Sequence, residues 1–175
     1  VYSLKNMDQT ARIKVVGVGG SGGNAVSRMM QHGIKGVEFI AVNADAQDLQ
    51  KAKAHTKIRI GKEITQGLGT GMNPEIGRKA AEEQKDEIQK ALEGADMVFV
   101  TCGLGGGCGS GASIVVSELA KKAGALTLAV VTTPFTFEGL KRAEIAKEAQ
   151  RLLKARVDTL IAISNNKLLS TLEPN

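Results

Sequence analysis

The fold is decided by the stretch Gly103-Leu104-Gly105-Gly106-Gly107-Cys108-Gly109-Ser110-Gly111-Ala112-Ser113. It lies between an apolar run, Ala95 to Cys102, and a helix-like run, Ala112 to Lys122. Glycine has no Cβ and tolerates positive φ, so consecutive backbone N–H groups can turn toward one anion, and a following helix adds its own free N–H groups. The stretch therefore predicts a phosphate-binding loop rather than a flexible linker, which polar sequence usually flanks.

Apolar, β-branched segments alternate with amphipathic helical segments along the chain. This alternation predicts an α/β fold: a Rossmann-like, doubly wound, mainly parallel six-stranded sheet with helices on both faces. The predicted strands are Ile13 to Val18, Val37 to Val42, Lys57 to Ile60, Met97 to Cys102, Leu126 to Thr132 and Thr159 to Ile163. The predicted helices are Gly22 to Gln31, Gln47 to Ala54, Pro74 to Leu92, Ala112 to Lys122 and Glu138 to Ala155. A strand order of 3-2-1-4-5-6 would bring the two glycine clusters, after the first and fourth strands, to one crevice.

The amino-acid composition limits the number of domains and the possible classes of partner. A chain of 175 residues with 42% hydrophobic residues is large enough for one domain with its own core. The net charge of +5 is spread among acidic residues and aromatic residues make up only 3%, so we expect no nucleic-acid partner. No apolar run is long enough to span a bilayer, and the two cysteines, Cys102 and Cys108, form no zinc pattern. We therefore expect a cytoplasmic, reduced protein without direct membrane insertion.

A second glycine cluster runs from Gly17 to Asn24 and contains a G-x-G-x-x-G match at Gly17, Gly19 and Gly22. It lies between a predicted strand and a predicted helix, as in a dinucleotide-binding fold, so an NAD-dependent oxidoreductase is one interpretation. Two facing glycine loops suit a mononucleotide with a longer phosphate chain better. The sequence contains no P-loop lysine, so backbone N–H groups, helix ends and Mg²⁺ would have to meet the phosphate charge.

Five motifs follow one another along the chain in a specific order. They are Gly17 to Asn24, Val42 to Gln47, Gly67 to Pro74, Gly103 to Ala112, and Thr132 to Gly139. Together they resemble the successive nucleotide loops of the FtsZ family, the tubulin-like GTPases of bacterial cell division, and the resemblance extends from Ile13 to Leu169. It implies GTP or GDP as the ligand, with Mg²⁺, and leaves the metal ligands unassigned.

The resemblance also implies a set of site residues. The α and β phosphates would contact Gly20, Ser21, Gly22, Gly23 and Asn24, and the signature loop would comprise Gly103, Gly106, Gly107, Cys108, Gly109, Ser110 and Gly111. Backbone amides of Gly71 and Met72 would approach the γ-phosphate, and Asn43 and Asp45 would face the phosphate and metal region. Thr132 and Pro134 would line the nucleotide, Glu138 and Arg142 would hold the ribose, and Asn165 would read guanine. By spacing alone, Glu138 and Arg142 are an i,i+4 ion pair on the last long helix, and Asn165-Asn166 is a turn.

The signature loop departs from the family at Cys108 and Ser110, where threonines are usual. A thiol is a poorer hydrogen-bond partner for phosphate than a hydroxyl, so we expect weaker nucleotide binding. Helix-terminus amides would lower the pKa of the Cys108 thiol and make it reactive in the empty site. We expect Cys102 to be an inert core residue.

The resemblance divides the chain into an N-terminal extension, residues 1–12, and a GTP-binding domain, residues 13–175, which stops before the family's central helix and C-terminal domain. No catalytic residue is expected within the chain, because the family's activating acidic loop lies beyond that helix and reaches the next subunit of a head-to-tail filament. The implied partners are a second copy, the missing C-terminal domain and, indirectly, cell-division regulators and membrane tethers at the septum. A non-catalytic interaction fragment remains the other alternative.

Overall fold

The computed structural model describes residues 11–172, so most of the predicted N-terminal extension and the last three residues of the predicted domain lie outside the described residues. Six strands form one sheet with the order β3-β2-β1-β4-β5-β6, and every strand pair is parallel. They are β1 (Ile13–Val18), β2 (Val37–Asn43), β3 (Thr56–Arg59), β4 (Met97–Gly103), β5 (Leu126–Thr133) and β6 (Thr159–Ser164). The predicted fold class is confirmed, and the sheet has the doubly wound strand order assumed for it.

Helices cover both faces of the sheet. They are α1 (Gly19–Gln31), α2 (Ala46–Lys51), α3 (Pro74–Glu83), α4 (Lys85–Leu92), α5 (Gly107–Lys122), α6 (Leu140–Lys154) and α7 (Asn165–Leu172). Val26 of α1 packs with Phe39 on one face, whereas buried residues of α3, α4, α5 and α6 join the larger core on the other. Helix α5 is buried along most of its length. Helix α5 therefore lies in the middle of the helical layer that covers the larger core.

The predicted helix from Pro74 to Leu92 is wrong as one continuous element, because it breaks at Gln84. The Gln84 side-chain oxygen accepts hydrogen bonds from the backbone N–H groups of Gly61 and Lys62 in the loop after β3. The neighbouring Glu83 carboxylate accepts from the N–H groups of Glu63 and Ile64. Side chains at the break thus accept the backbone hydrogen bonds of this loop. The helical periodicity of the sequence does not reveal such a break.

Helices α1 and α5 begin earlier than predicted, inside the two glycine clusters. In the clusters most glycines have ordinary φ values, and the exceptions are Gly19 (φ 73°) and Gly105 (φ 101°). Most of the others are required by close packing: a Cβ built on Gly22 would lie 2.5 Å from the Thr101 carbonyl oxygen, and one on Gly109 would lie 2.5 Å from that of Gly103. Gly77 and Gly111 likewise let α3 and α5 pack backbone to backbone. Close approach, rather than positive φ, explains most of these glycines.

Two further differences lie near the carboxyl end of the sheet. Glu138 is not in α6 but in a 3₁₀ turn, Thr136–Glu138, which Gly139 (φ 96°) separates from the helix. Asn165 and Asn166 begin the helix α7 instead of forming an isolated turn. Both segments lie at the end of the sheet where the glycine clusters meet, so they add walls to the same cleft.

Candidate functional site

A cleft of about 520 Å³ opens at the carboxyl ends of β1 and β4, where the strand order reverses. Its walls come from the starts of α1 and α5, from the loop before α3, and from the segments after β2, β5 and β6. Polar surface dominates the lining. This is the crevice in which open α/β sheets bind their ligands.

The starts of α1 and α5 meet in this cleft. A Cβ on Gly19, the first residue of α1, would lie 3.0 Å from the backbone nitrogen of Gly109 in the first turn of α5. Neither helix has a side-chain cap, since the residues before them are Val18 and Gly106. By contrast, Asp45 caps α2 and Asn73 caps α3. The backbone N–H groups at the starts of α1 and α5 are thus available to an anion.

Sixteen of the predicted site residues line this cleft. They are Gly20, Ser21, Asn43, Asp45, Gly71, Met72, Gly103, Gly106, Gly107, Cys108, Gly109, Thr132, Pro134, Glu138, Arg142 and Asn165. Residues from five separate motifs therefore surround one cavity. Their role in binding a ligand stays a prediction.

The other five predicted site residues do not line the cleft. Gly22 is pressed against Thr101, and Gly111 against Pro74. Ser110 is fully buried, and its hydroxyl accepts a hydrogen bond of 2.9 Å from the N–H of Gly105. Gly23 and Asn24 line a separate cavity of about 50 Å³ beside α2. These residues therefore support or adjoin the walls of the cleft.

The loop before α3 contributes backbone in the left-handed region. Gly71 has φ 54° and Met72 has φ 63°, an uncommon value for a residue with a side chain. Thr70, Leu68 and Gly69 also line the cleft, and sequence reasoning missed them although they belong to the quoted Gly67 to Pro74 motif. Strained backbone of this kind often lies at functional sites.

Polar oxygens collect at the end of β2. The Asn43 side-chain oxygen accepts from the N–H of Asp45 at 3.2 Å, and one Asp45 carboxylate oxygen accepts from the N–H groups of Gln47 and Asp48 at 2.9 and 3.0 Å. Asp48 also lines the cleft, and its carboxylate lies beside Gly20. Sequence reasoning missed Asp48, although its position one turn after Asp45 was a usable signal.

Glu138 and Arg142 form the expected ion pair, with 3.2 Å between Oε2 and Nη1. The second Glu138 oxygen accepts a hydrogen bond of 2.8 Å from the N–H of Phe135, which fixes the carboxylate at the cleft wall. On the same wall, the side-chain oxygen of Asn166 accepts from the N–H of Thr136 at 3.3 Å, which joins the start of α7 to the 3₁₀ turn. The pair is thus part of a cleft wall and not a free surface pair on a helix.

The hypothesis of an activated Cys108 thiol is wrong. Burial raises the pKa of Cys108 to about 11, and hydrogen bonding with the backbone of Ala44 opposes this only in part. Burial raises the pKa of Cys102 to about 12. A thiol with such a pKa is protonated at neutral pH and reacts slowly. Nearness to a helix start predicts the opposite direction, but here desolvation is the larger effect.

Residues 11–172 contain no group of three or more His, Cys, Asp or Glu side chains placed to hold a metal ion. None of their helices is long and apolar enough to cross a membrane.

Comparison with known proteins identifies the family. Residues 12–173 match the model described as Tubulin/FtsZ family, GTPase domain. Cell division protein FtsZ 1 of Thermococcus kodakarensis is 60% identical over 159 residues, which are 91% of this chain and 43% of that protein. The structure of an empty FtsZ dimer from M. jannaschii superposes with a TM-score of 0.93 at 49% identity, over 97% of this chain and 49% of that one. For the GTPγS-bound protofilament of CetZ2 from Haloferax volcanii the TM-score is 0.83 at 28% identity, over 93% of this chain and 52% of that one.

The chain thus spans less than half the length of the curated relative. The family match, in contrast, covers nearly all of the chain and includes every motif that lines the cleft. The chain belongs to the Tubulin/FtsZ family, and its residues 12–173 match the GTPase domain of that family.

Proposed function

We propose that the cleft binds GTP and GDP, with the phosphates at the starts of α1 and α5. The observation that carries this proposal is the meeting of two uncapped, glycine-rich helix starts in one cavity. A single helix start suits one phosphate group, whereas two adjacent ones suit a phosphate chain. The cleft volume of about 520 Å³ lies in the range of small-molecule sites.

The family resemblance suggests the individual roles, and the positions of the cleft-lining residues support them. Gly20 and Ser21 of α1, and Gly107, Cys108 and Gly109 of α5, bind the phosphates through backbone N–H groups. Five predicted residues do not line the cleft but support this cradle from behind: Gly22, Gly23, Asn24, Ser110 and Gly111. Gly71 and Met72 lie toward the γ-phosphate, and Asn43 and Asp45 face the phosphate and metal region, with Asp45 directly beside the loop before α3. Glu138 and Arg142 hold the ribose, and Asn165 reads the guanine edge, because its amide both donates and accepts.

Mg²⁺ fits the oxygen-rich wall. Mg²⁺ prefers oxygen ligands, keeps several waters and usually takes one or two carboxylates together with substrate phosphates. Asn43, Asp45 and Asp48 offer such oxygens, and one Asp45 oxygen is already used to cap α2. When bound, the ion would neutralise phosphate charge. The residues of this chain would orient the phosphate chain between that wall and the two helix starts.

The whole protein, we infer, hydrolyses GTP and assembles head to tail during cell division. The M. jannaschii relative forms a dimer and the CetZ2 relative a protofilament, which supports self-association. The carboxylates that line the cleft are Asp45, Asp48 and Glu138, and two of them already accept backbone hydrogen bonds. Hydrolysis needs a group that orients the attacking water, so we expect this chain alone to turn over little GTP. The family's acidic loop on a neighbouring subunit would supply that group.

A titration with GTP, GDP, ATP and NAD, each with and without Mg²⁺, tests the proposal. We expect the chain to bind GTP and GDP and to show much weaker affinity for ATP and NAD. Preference for NAD would indicate a dinucleotide-binding domain instead. Absence of binding to all four would indicate an interaction module without a nucleotide.

A Glu138→Gln variant tests the ribose role. Glutamine retains an acceptor for the Phe135 N–H but removes the charge paired with Arg142. We expect GDP affinity to fall about tenfold, as for a charge-assisted hydrogen bond. The matched control is Glu148→Gln on the exposed surface of α6, which should bind GDP as the wild-type chain does.

A further inference from the structure

Asp48 is the one carboxylate in the cleft whose side chain makes no hydrogen bond or ion pair with residues 11–172. Asp45 caps α2, and Glu138 accepts from Phe135 and pairs with Arg142. Asp48 also lies in the first turn of α2, where an acidic residue is favoured by the helix dipole, but it points to the neighbouring helix. A Cβ on Gly20 would lie 3.0 Å from Asp48 Oδ2.

This carboxylate therefore stands beside the start of α1, where the proposed function puts phosphate. Gly20 is the second residue of α1, and the preceding Val18 provides no cap. A negative charge at this distance repels a second anion and attracts a cation. Asp48 is exposed, so solvent weakens the repulsion without removing it.

We propose that Asp48 makes nucleotide binding depend on a divalent cation. This inference rests on the proposed function. With the cation present, Asp48 and the phosphates are both attracted to the same divalent ion. Without it, Asp48 and the phosphates repel each other across the start of α1. The residue thus selects the cation complex of the nucleotide over the free polyphosphate.

The test measures GDP affinity of the wild-type chain and of Asp48→Asn by calorimetry, once with Mg²⁺ and once with EDTA. In EDTA we expect Asp48→Asn to bind GDP roughly fivefold more tightly than the wild type, which is the effect of removing one like charge a few ångströms from phosphate in a partly solvated site. In Mg²⁺ the difference should shrink or reverse. Asp48→Ala should behave like Asp48→Asn if the charge is responsible.

The control is Asp86→Asn, an equal change of charge at an exposed position on α4 away from the cleft. It should keep the wild-type ratio of affinities in Mg²⁺ and EDTA. The inference is overturned if Asp48→Asn also keeps that ratio, or if it binds more weakly than the wild type under both conditions, which would indicate a structural role. A wild-type chain that binds no guanine nucleotide would overturn the proposed function itself, a distinct result.

Discussion

Gly111 in α5 lies directly against the backbone of Pro74 at the start of α3, and a Cβ on Gly111 would overlap the Pro74 carbonyl oxygen. Gly77 makes a similarly close approach to Gly107. Two helices packed backbone to backbone cannot separate slightly at one residue without loss of neighbouring contacts. This packing positions the start of α5, so it connects the core to the cleft.

We expect Gly111→Ala to lower the free energy of unfolding by about 3 kcal/mol, the upper range for overpacking of a core. Gly106→Ala is the matched control, because a Cβ there meets nothing within 4 Å and the residue has a φ of −97°. The control should change stability by less than about 0.5 kcal/mol. Urea denaturation of both variants measures the difference, and equal stabilities would contradict the packing argument.

The Gln84→Ala variant tests the hydrogen bonds that the side chain makes at the break between α3 and α4. The Gln84 side chain accepts from the N–H groups of Gly61 and Lys62, and Gly61 has a second acceptor in the Ala80 carbonyl. Because one acceptor remains, Gln84→Ala should lower stability by only about 1 kcal/mol. Gln89→Ala, at an exposed position of α4, serves as the control and should leave stability unchanged or slightly raised. A loss in Gln89→Ala as large as that in Gln84→Ala would show that the loop contact is unimportant.

The strands could be predicted because apolar, β-branched runs such as Ile13 to Val18 report burial on both faces directly, whereas the strand order comes from the usual doubly wound fold. Both glycine clusters could also be placed, since each follows a strand that ends at the switch point. The helix starts could not, because α1 and α5 begin at glycines such as Gly19, Gly20 and Gly107, and glycine is a poor helix former. Asp48 could have been found from its position one turn after Asp45, but the break at Gln84 depends on side-chain contacts between distant segments. The pKa of Cys108 depends on burial, which local sequence does not report.

Asp158 lies at the end of the sheet opposite the cleft, and its protonation makes the stability of the folded chain depend on pH in the acid range. Hydrogen bonds from the Lys121 side chain, at 2.7 Å, and from the Thr127 N–H, at 2.8 Å, hold the pKa of Asp158 below its ordinary value. A lowered folded-state pKa contributes stability above the unfolded value of about 4, and this contribution is lost as the pH falls through the folded value. Asp158→Asn should therefore have a lower Tm than the wild type at pH 7.

The difference in Tm between Asp158→Asn and the wild type should shrink steadily below about pH 4. Asp86→Asn again provides the control, since Asp86 makes no ion pair within the described part of the chain. Thermal unfolding of the three proteins from pH 7 to pH 3 measures the effect. A difference that stays constant over this range would assign the loss to packing rather than to charge.

The two thiols give the last prediction. With pKa values of about 11 for Cys108 and about 12 for Cys102, both groups are protonated in the folded chain at pH 7. Alkylation by iodoacetamide should be slow there and should accelerate with pH toward 11, because the thiolate is the reactive form. Cys108 lines the cleft and Cys102 is buried, so Cys108 should react first, and saturating GDP should slow Cys108 alone. The unfolded thiols ionise near 9, below the folded values, so stability should also decrease as the pH rises above about 9. Mass spectrometry of labelled peptides, with urea-unfolded protein as the reference, measures both rates; fast labelling of Cys108 at pH 7 would mean that the helix start, and not burial, controls its thiol.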